Sequence, residues 1–265
     1  MMMSCLPAPP VNVSPASLAY SLSGGRWYPA DHLLLLDSYL VQVAAGVIKN
    51  LMIFMPPRHG KSELTSKFFP AWYLSKYPDK RVILTSYEAD FAASWGYKVR
   101  SLIQEHGPTK LGIEIASNSS ARDRWDIQGH AGGMMTAGVG GAITGKGADL
   151  LIIDDPVKNA EQALSKRYRD KTLDWFKSTA FTRLEPGGSV VIIQTRWHDA
   201  DLSGQLLKDE AHKWTVINLP ALAGSNDPLG RKPGEALFRQ RFDEAALKNI
   251  KETLGPYWWA ALYQQ

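Results

Sequence analysis

The stretch Met55-Pro56-Pro57-Arg58-His59-Gly60-Lys61-Ser62 carries the residue types that hold a nucleoside triphosphate. Gly60, Lys61 and Ser62 satisfy the end of the pattern G-x-x-x-x-G-K-[ST], with Met55 in place of the first glycine. In such a loop the backbone N–H groups and the positive end of the next helix cradle phosphate oxygens. Lys61 would reach the β- and γ-phosphates, and the Ser62 hydroxyl would sit on Mg²⁺. Pro57, Arg58, His59 and Glu63 complete the expected nucleotide-binding loop. Lys61 reads as an exposed charge in the empty loop, whose removal should cost the fold little. A second group closes the apolar run Leu150-Leu151-Ile152-Ile153: the paired carboxylates Asp154 and Asp155. Asp154 would hold Mg²⁺, directly or through water, and Asp155 is placed to polarise the attacking water. Taken alone, this pair reads equally as a solvated strand end; the phosphate loop upstream decides for the chemical reading.

These groups need particular elements to position them. The run Leu51-Met52-Ile53-Phe54 reads as a buried strand before the loop, and Leu64, Phe68, Phe69 and Trp72 have helical spacing after it. A second buried strand covers 81–87, and a helix follows over 89–105 with Phe91, Trp95, Val99, Leu102 and Ile103 on one face. Residues 112–117, 124–128 and 134–137 read as small antiparallel strands appended to the main sheet. The glycine-rich 138–147 reads as a mobile loop returning to the core. A charged amphipathic helix is expected over 160–179, where Lys166, Arg167, Arg169 and Lys171 suit a solvated face. The strand 188–196 ends in Gln194-Thr195-Arg196, a polar tip beside the Asp154 strand, fit to sense the γ-phosphate and transmit its loss. A helix at 199–208 and a strand at 214–219 complete a βα alternation. That alternation makes the fold class α/β, a mainly parallel central sheet with helices on both faces. Ligands of such sheets bind at the carboxyl ends of the strands, where all three motifs fall.

Residues 1–25, rich in Pro, Ser, Ala and Gly, read as a flexible arm, 26–220 as the core, and 221–265 as a C-terminal linker or hinge. A helix capped by Asp31 is expected to turn Leu34, Leu35, Tyr39, Leu40 and Val43 inward and to end at Gly46. Tyr28, His32 and Gln42 are candidates to touch the adenine, with plain packing as the alternative role for each. At 265 residues and 45% hydrophobic content the chain can bury a full core, and 21% charged residues exclude a disordered protein. A formal charge of +4 permits a polyanionic partner without demanding one. One cysteine, Cys5, excludes disulfides and cysteine-rich metal sites. The Leu33-to-Leu36 run is interrupted by Asp37, Gln42 and Lys49 long before the roughly 20 apolar residues a membrane span needs. The expectation is a soluble, intracellular protein with no membrane partner.

The motifs as an ordered set resemble the large terminase subunit of tailed bacteriophages and prophages. They are Pro56-Pro57-Arg58-His59-Gly60-Lys61-Ser62-Glu63, Ser86-Tyr87, Thr144-Gly145-Lys146-Gly147-Ala148-Asp149, Asp154-Asp155-Pro156, Thr182-Arg183-Leu184 and Gln194-Thr195-Arg196-Trp197-His198. The likeness runs from about Trp27 through the closing Leu262-Tyr263-Gln264-Gln265. It implies an additional-strand P-loop ATPase that uses ATP and Mg²⁺ to pump double-stranded DNA into a procapsid through the portal. It also implies work beside a small terminase subunit, in the cytoplasm of the infected bacterial host. By position, Asp154 is the family's Mg²⁺ aspartate, Arg58 a γ-phosphate sensor within the subunit, and Gln194-Thr195-Arg196 the coupling motif. A ring, pentameric when assembled, is expected to receive a basic residue from the neighbouring subunit. Lys146 in the glycine-rich loop is the candidate, against a solvated loop lysine.

Three departures stand out. Met55 replaces the first glycine, Asp155 stands where many relatives carry Glu, and the residues after about Pro220 show no pattern of the family's nuclease. The chain as given is therefore expected not to cut DNA. Two other functions remain open at this level: a helicase-like motor, and a nucleotide-gated assembly module that binds ATP with negligible hydrolysis.

Overall fold

The structure, a computed structural model, describes residues 13–143, 145 and 147–265. In chain order its strands are β1 (Asn50–Phe54), β2 (Arg81–Ser86), β3 (Ile115–Ser120), β4 (Arg124–Ile127), β5 (Gly133–Gly138), β6 (Ala148–Asp154), β7 (Leu184–Gln194) and β8 (Thr215–Asn218). Its helices are α1 (Pro15–Leu22), α2 (Asp31–Ala44), α3 (Phe69–Lys76), α4 (Ala89–His106), α5 (Ala160–Leu164), α6 (Lys166–Trp175), α7 (Leu202–Glu210) and α8 (Glu244–Trp259). All eight strands lie in one sheet, in the order β3-β4-β5-β2-β6-β7-β1-β8.

The central strands are apolar at successive positions because both their faces are covered, and the two-residue period sorts those side chains into two layers. Leu51, Ile53, Leu84, Leu150, Ile152, Val191 and Ile193 face one layer with Leu18, Leu36, Leu74 and Val99 from α1 to α4. Met52, Phe54, Ile83, Leu151, Ile153, Val190 and Ile192 face the other, against Trp175 of α6 and Leu202 and Leu206 of α7. Each such side chain contributes on the order of 1.5–3 kcal/mol when fully buried. This two-sided burial holds the carboxyl ends of the strands in a fixed row. Phe54 pairs with Gln194, Ile193 with Asp154, and Asp154 with Ser86. Strand β7 lies between β1 and β6, the additional strand that separates the phosphate-loop strand from the Asp154 strand.

Several elements depart from the sequence expectation. β5 runs parallel to β2, so only β3 and β4 form the antiparallel extension. The charged helix is two pieces, α5 and α6, divided at Ser165, whose backbone is extended and whose Oγ accepts the Tyr168 N–H. Serine's local bonding competes with helix continuation, and here it starts a new helix. Asp31 is the first residue of α2 rather than its cap, which is Ala30. The inward face of α2 is His32, Leu33, Leu36, Leu40 and Val43, with Leu34 exposed. Four consecutive leucines satisfy either phase of a helical stripe, so the pattern alone could not choose between them.

Residues 13–25 are not an arm. Ser14 and Ser17 form a reciprocal capping box, Pro15 opens α1, and the Ala16 N–H donates to Asp37 Oδ1 at 2.7 Å. Ala16, Leu18 and Ala19 are buried in the main core. The first twelve residues of the expected arm lie outside the described residues. No helix among the described residues is long and apolar enough to cross a membrane.

Leu18→Ala should therefore lower unfolding stability by about 2–5 kcal/mol, and Ser14→Ala by about 1 kcal/mol. Urea unfolding followed by circular dichroism measures both; losses near zero would restore the free arm.

Candidate nucleotide-binding site

Strand β1 delivers the chain into the loop at Met55, whose side chain is fully buried in the main core. The missing first glycine is thus a packed position. The loop then alternates hand: Arg58 has φ 63° and Gly60 φ 93°. Successive amides in alternating left- and right-handed conformations make a concave anion site. Only glycine fits position 60, because a Cβ there would meet the Leu33 methyls at 3.1 and 3.2 Å at an already unfavourable φ. After Ser62 the helix opens with wide π-type turns over Glu63–Phe68 before α3. Pro70, lacking an N–H, sits just inside α3.

Lys61 is not the exposed charge expected from the sequence. It is 4% exposed, its Nζ donates to Thr195 Oγ1 at 2.7 Å, and it lies 3.6 Å from Asp155 Oδ2. A buried ammonium needs both a charge partner and a hydrogen bond, and residues at the ends of β6 and β7 supply them. Asp154 is 1% exposed and accepts Ser62 Oγ at 2.9 Å and Ser66 Oγ at 2.7 Å. Burial, then the neighbouring charge of Asp155, pushes Asp154 up to about 7, against the pull of Ser66, Lys61 and Ser62. Asp155 turns the chain with φ 45°. Its Oδ1 accepts the Thr195 N–H at 2.7 Å, and its own N–H donates to Ile193 O at 2.8 Å. Ser66 went unnoticed in the sequence, although Ser62 and Ser66 stand at i and i+4, a spacing that shares one helix face.

The Ser62 hydroxyl and the Asp154 carboxylate are adjacent hard oxygens, a donor set that fits Mg²⁺. Among the described residues no three His, Cys, Asp or Glu side chains cluster as a metal cage. Mg²⁺ is ordinarily held this sparsely, by one or two protein groups with waters and phosphates completing the shell.

The strand tip divides its labour. Thr195 joins the Lys61 and Asp155 network, whereas Gln194 Nε2 and Arg196 Nε both donate to Asp201 Oδ2, at 2.8 and 2.6 Å. Asp201 caps α7 by accepting the Gly204 N–H, and burial pushes its pKa up against the counter-pull of Arg196. The Arg196 guanidinium lies 4.6 Å from the centre of the Phe54 ring, and the Arg196 backbone N–H donates to Gln265 Oε1 at 2.9 Å. Asp201 was also missed; its signal was the Asp two residues after another Asp, just before a helical pattern.

The remaining candidates scatter. Arg58 is exposed at the crest of the loop, and Glu63 pairs with Lys67 at 2.6 Å. His32 is fully buried, with Nε2 2.9 Å from the His59 carbonyl; it faces loop backbone and Phe238 instead of an open base site. His59 Nδ1 is 2.8 Å from Pro57 O, and its ring stacks on Phe242 at 4.9 Å. Gln42 bonds its own helix at Ser38 O. Tyr28 stacks on Phe238 at 6.1 Å and lines a cavity of about 750 Å³ with Trp27, Gly60, Glu63 and Lys67. Lys146 lies outside the described residues.

The segment 221–265 does not behave as a linker. Ala221, Ala236, Leu247 and Trp259 form a small core of their own. Ala221 N–H donates to Tyr263 O at 2.7 Å, and Phe238 and Phe242 press on the two histidines of the loop. Sequence composition rich in Gly and Pro hid this because those residues make its turns, not its contacts.

Comparison with known proteins agrees with the fold. The ATPase domain of the Thermus phage P74-26 large terminase, in a point-mutant form, superposes with a TM-score of 0.55 at 12% identity, over 95% of this chain and 98% of that one. The bacteriophage HK97 large terminase matches with a TM-score of 0.52 at 11% identity, over 86% of this chain, which spans 50% of its length. A large terminase from a thermophilic bacteriophage, solved in complex with ADP, matches with a TM-score of 0.50 at 9% identity, over 84% of this chain and 52% of that one. No curated protein matches in sequence. The family described as terminase large subunit, T4likevirus-type, N-terminal, matches residues 52–259, well over half the chain. With the P-loop fold and the phosphate loop already in place, this chain belongs to the large terminase subunit family.

Proposed function

We propose that this chain is an ATP-hydrolysing motor domain that drives double-stranded viral DNA into a procapsid. The observation that carries the reading is the joining of Lys61, Asp155 and Thr195 in one contact network, with Asp154 and Ser62 beside it. ATP enters with its triphosphate in the loop and its adenosine in the cavity beside Glu63, where Tyr28 and Phe238 offer aromatic surface. Lys61 exchanges Thr195 for phosphate oxygens and balances charge developing on the transferred group. Ser62 and Asp154 would hold Mg²⁺, which would supply charge neutralisation on the phosphates. Asp155, released from the Lys61 charge, orients the attacking water, and Arg58 meets the γ-phosphate.

Because Thr195 loses Lys61 when nucleotide binds, the strand tip Gln194-Thr195-Arg196 carries the change to α7 through Asp201. The partners proposed with this reading are duplex DNA, portal and procapsid, the small terminase subunit and a homo-oligomeric ring, in the host cytoplasm; family membership supports DNA and packaging partners in general. Lys146 is the basic residue offered to the neighbouring site. Residues 221–265 are not read as a nuclease, since Asp227 is paired with Arg231 at 2.6 Å, Glu244 with Arg239 at 2.9 Å, and Asp243 caps α8. A second reading, a nucleotide-gated assembly module, is favoured by the engagement of both Asp155 oxygens.

Phosphate release from ATP should rise with procapsids and linear DNA and vanish in Lys61→Ala. Because Lys61 is buried, that variant should also lose about 1–3 kcal/mol of stability, the cost of uncompensated buried groups. Turnover equal to wild type would sink the assignment; wild type with no steady release would leave the assembly module.

Asp154 makes a prediction of the opposite sign. Its folded pKa is raised, so its contribution is full below the ordinary carboxylate pKa and lost as pH climbs toward about 7. In metal-free buffer Asp154→Asn should melt higher than wild type at about pH 8, with the advantage shrinking toward about pH 5. The same variant should lose stabilisation by Mg²⁺ with ADP; an unchanged melting difference across that range would contradict the buried-charge account.

For Asp155, the Asn variant should bind nucleotide and not turn over, while Asp155→Glu retains activity. An active Asn variant beside an inactive Glu one would place the water-orienting group elsewhere.

A further inference from the structure

The two buried histidines beside the loop are unused by the chemistry above, and their contacts follow a pattern. The loop has two residues at positive φ, Arg58 and Gly60. The carbonyl immediately before each is held by an imidazole: Pro57 O by His59 Nδ1 at 2.8 Å, and His59 O by His32 Nε2 at 2.9 Å. A carbonyl only accepts, so Nδ1 of His59 and Nε2 of His32 must carry the hydrogens. The other ring nitrogens, His32 Nδ1 and His59 Nε2, are buried with no partner among the described residues. Charging His59 would add a buried donor with nothing to bond, and beside His32 the pull of the Leu237 backbone is outweighed by burial. Burial accordingly holds both histidines down at about 4, so both are neutral donors at neutral pH.

Other carbonyls of the loop are also taken. Gly60 O accepts Leu64 N–H at 3.2 Å, and Lys61 O accepts Thr65 Oγ1 at 2.6 Å. A phosphate cradle needs its amides inward and its carbonyls elsewhere, since a carbonyl turned inward repels phosphate oxygen. Arg58, as a non-glycine residue at positive φ, stores strain on the order of 1–3 kcal/mol that something must offset. The histidine bonds bracket Arg58, on the carbonyls of the residues before and after it.

We propose that His32 and His59 are positioning residues that hold the phosphate loop in its anion-binding shape, by pinning the carbonyls ahead of Arg58 and Gly60. This deepens the nucleotide reading and rests on it. Neither imidazole touches the nucleotide, and the ligand they act on is the polyphosphate rather than the base. Their outer faces rest on Phe238 and Phe242, so the segment 221–265 clamps the histidines against the loop.

Isosteric substitutions test this. Asn presents its amide N–H where His59 presents Nδ1, and Gln reaches where His32 presents Nε2. Calorimetric affinities for Mg²⁺ with ADP and for Mg²⁺ with inorganic pyrophosphate separate phosphate from base recognition. His59→Phe, which keeps the ring stack, and His32→Leu should each weaken both ligands by the same factor, about tenfold. His59→Asn and His32→Gln should stay within about twofold of wild type, since each keeps its hydrogen bond. ADP weakened with pyrophosphate unchanged would mean contact with the base and overturn the proposal. So would unchanged affinities with only a lower melting temperature, or Asn and Gln variants as weak as Phe and Leu. Should His32→Leu not fold, His59→Phe carries the decision. Wild type binding neither ligand, with Lys61→Ala no different, would overturn the nucleotide reading itself and this inference with it.

Discussion

A single buried ammonium organises this molecule. Lys61 sits at 4% exposure between Thr195 and Asp155, and a charge so placed is tolerable only with a counter-charge and a hydrogen bond at hand. The partners come from residues distant in sequence, so the requirement reaches across the sheet. β7 must lie between β1 and β6, and the strand ends must be level, for one ammonium to meet Asp155 and Thr195 together. The two-layer core keeps them level. Under the proposed function, a triphosphate that took over Lys61 would substitute for an internal partner, and the partners freed would belong to the strands proposed to carry the response.

The adjacent carboxylates illustrate how environment divides like residues. Asp154 is enclosed, bonded by two serine hydroxyls and raised toward neutrality; Asp155, partly exposed, is bonded to the Thr195 amide. Such pairs are where acid–base and metal roles separate. Backbone strain gathers at the same edge: Arg58 and Asp155, both at positive φ, flank the place where phosphate would lie. Strained positions persist only where surroundings over-determine them, and here buried side-chain hydrogen bonds do so.

The C-terminal 221–265 segment adds a layer to this arrangement. Its Phe238 and Phe242 reach the histidines under the loop, Gln265 takes the Arg196 amide, and Ala221 is tied to Tyr263. Loop, strand tip and covering segment are therefore in contact around one site. A change in any of them has a packed route to the others, without a long chain of intermediates.

The alternation and the place of the candidate site were legible in the sequence. Gly60-Lys61-Ser62 after Leu51-Met52-Ile53-Phe54, and Asp154 closing an apolar run, stand out through local spacing, and two-sided burial makes central strands read as continuous apolar stretches. Positions set by distant partners were not legible. Lys61 looked exposed because its partners lie 94 and 134 residues away. Leu34 looked buried because four leucines leave helix phase to the neighbours that pack on it. Residues 13–25 looked like an arm because a capping box of two serines resembles a polar tail until Asp37 is beside it. For His32 the sequence left base contact and plain packing both open, and the His59 carbonyl within bonding distance favours packing against the loop. Sequence fixes what a side chain can do through its chemistry and its near neighbours. Which partner satisfies a buried polar group depends on what the fold brings against it, and that is settled only when the layers close.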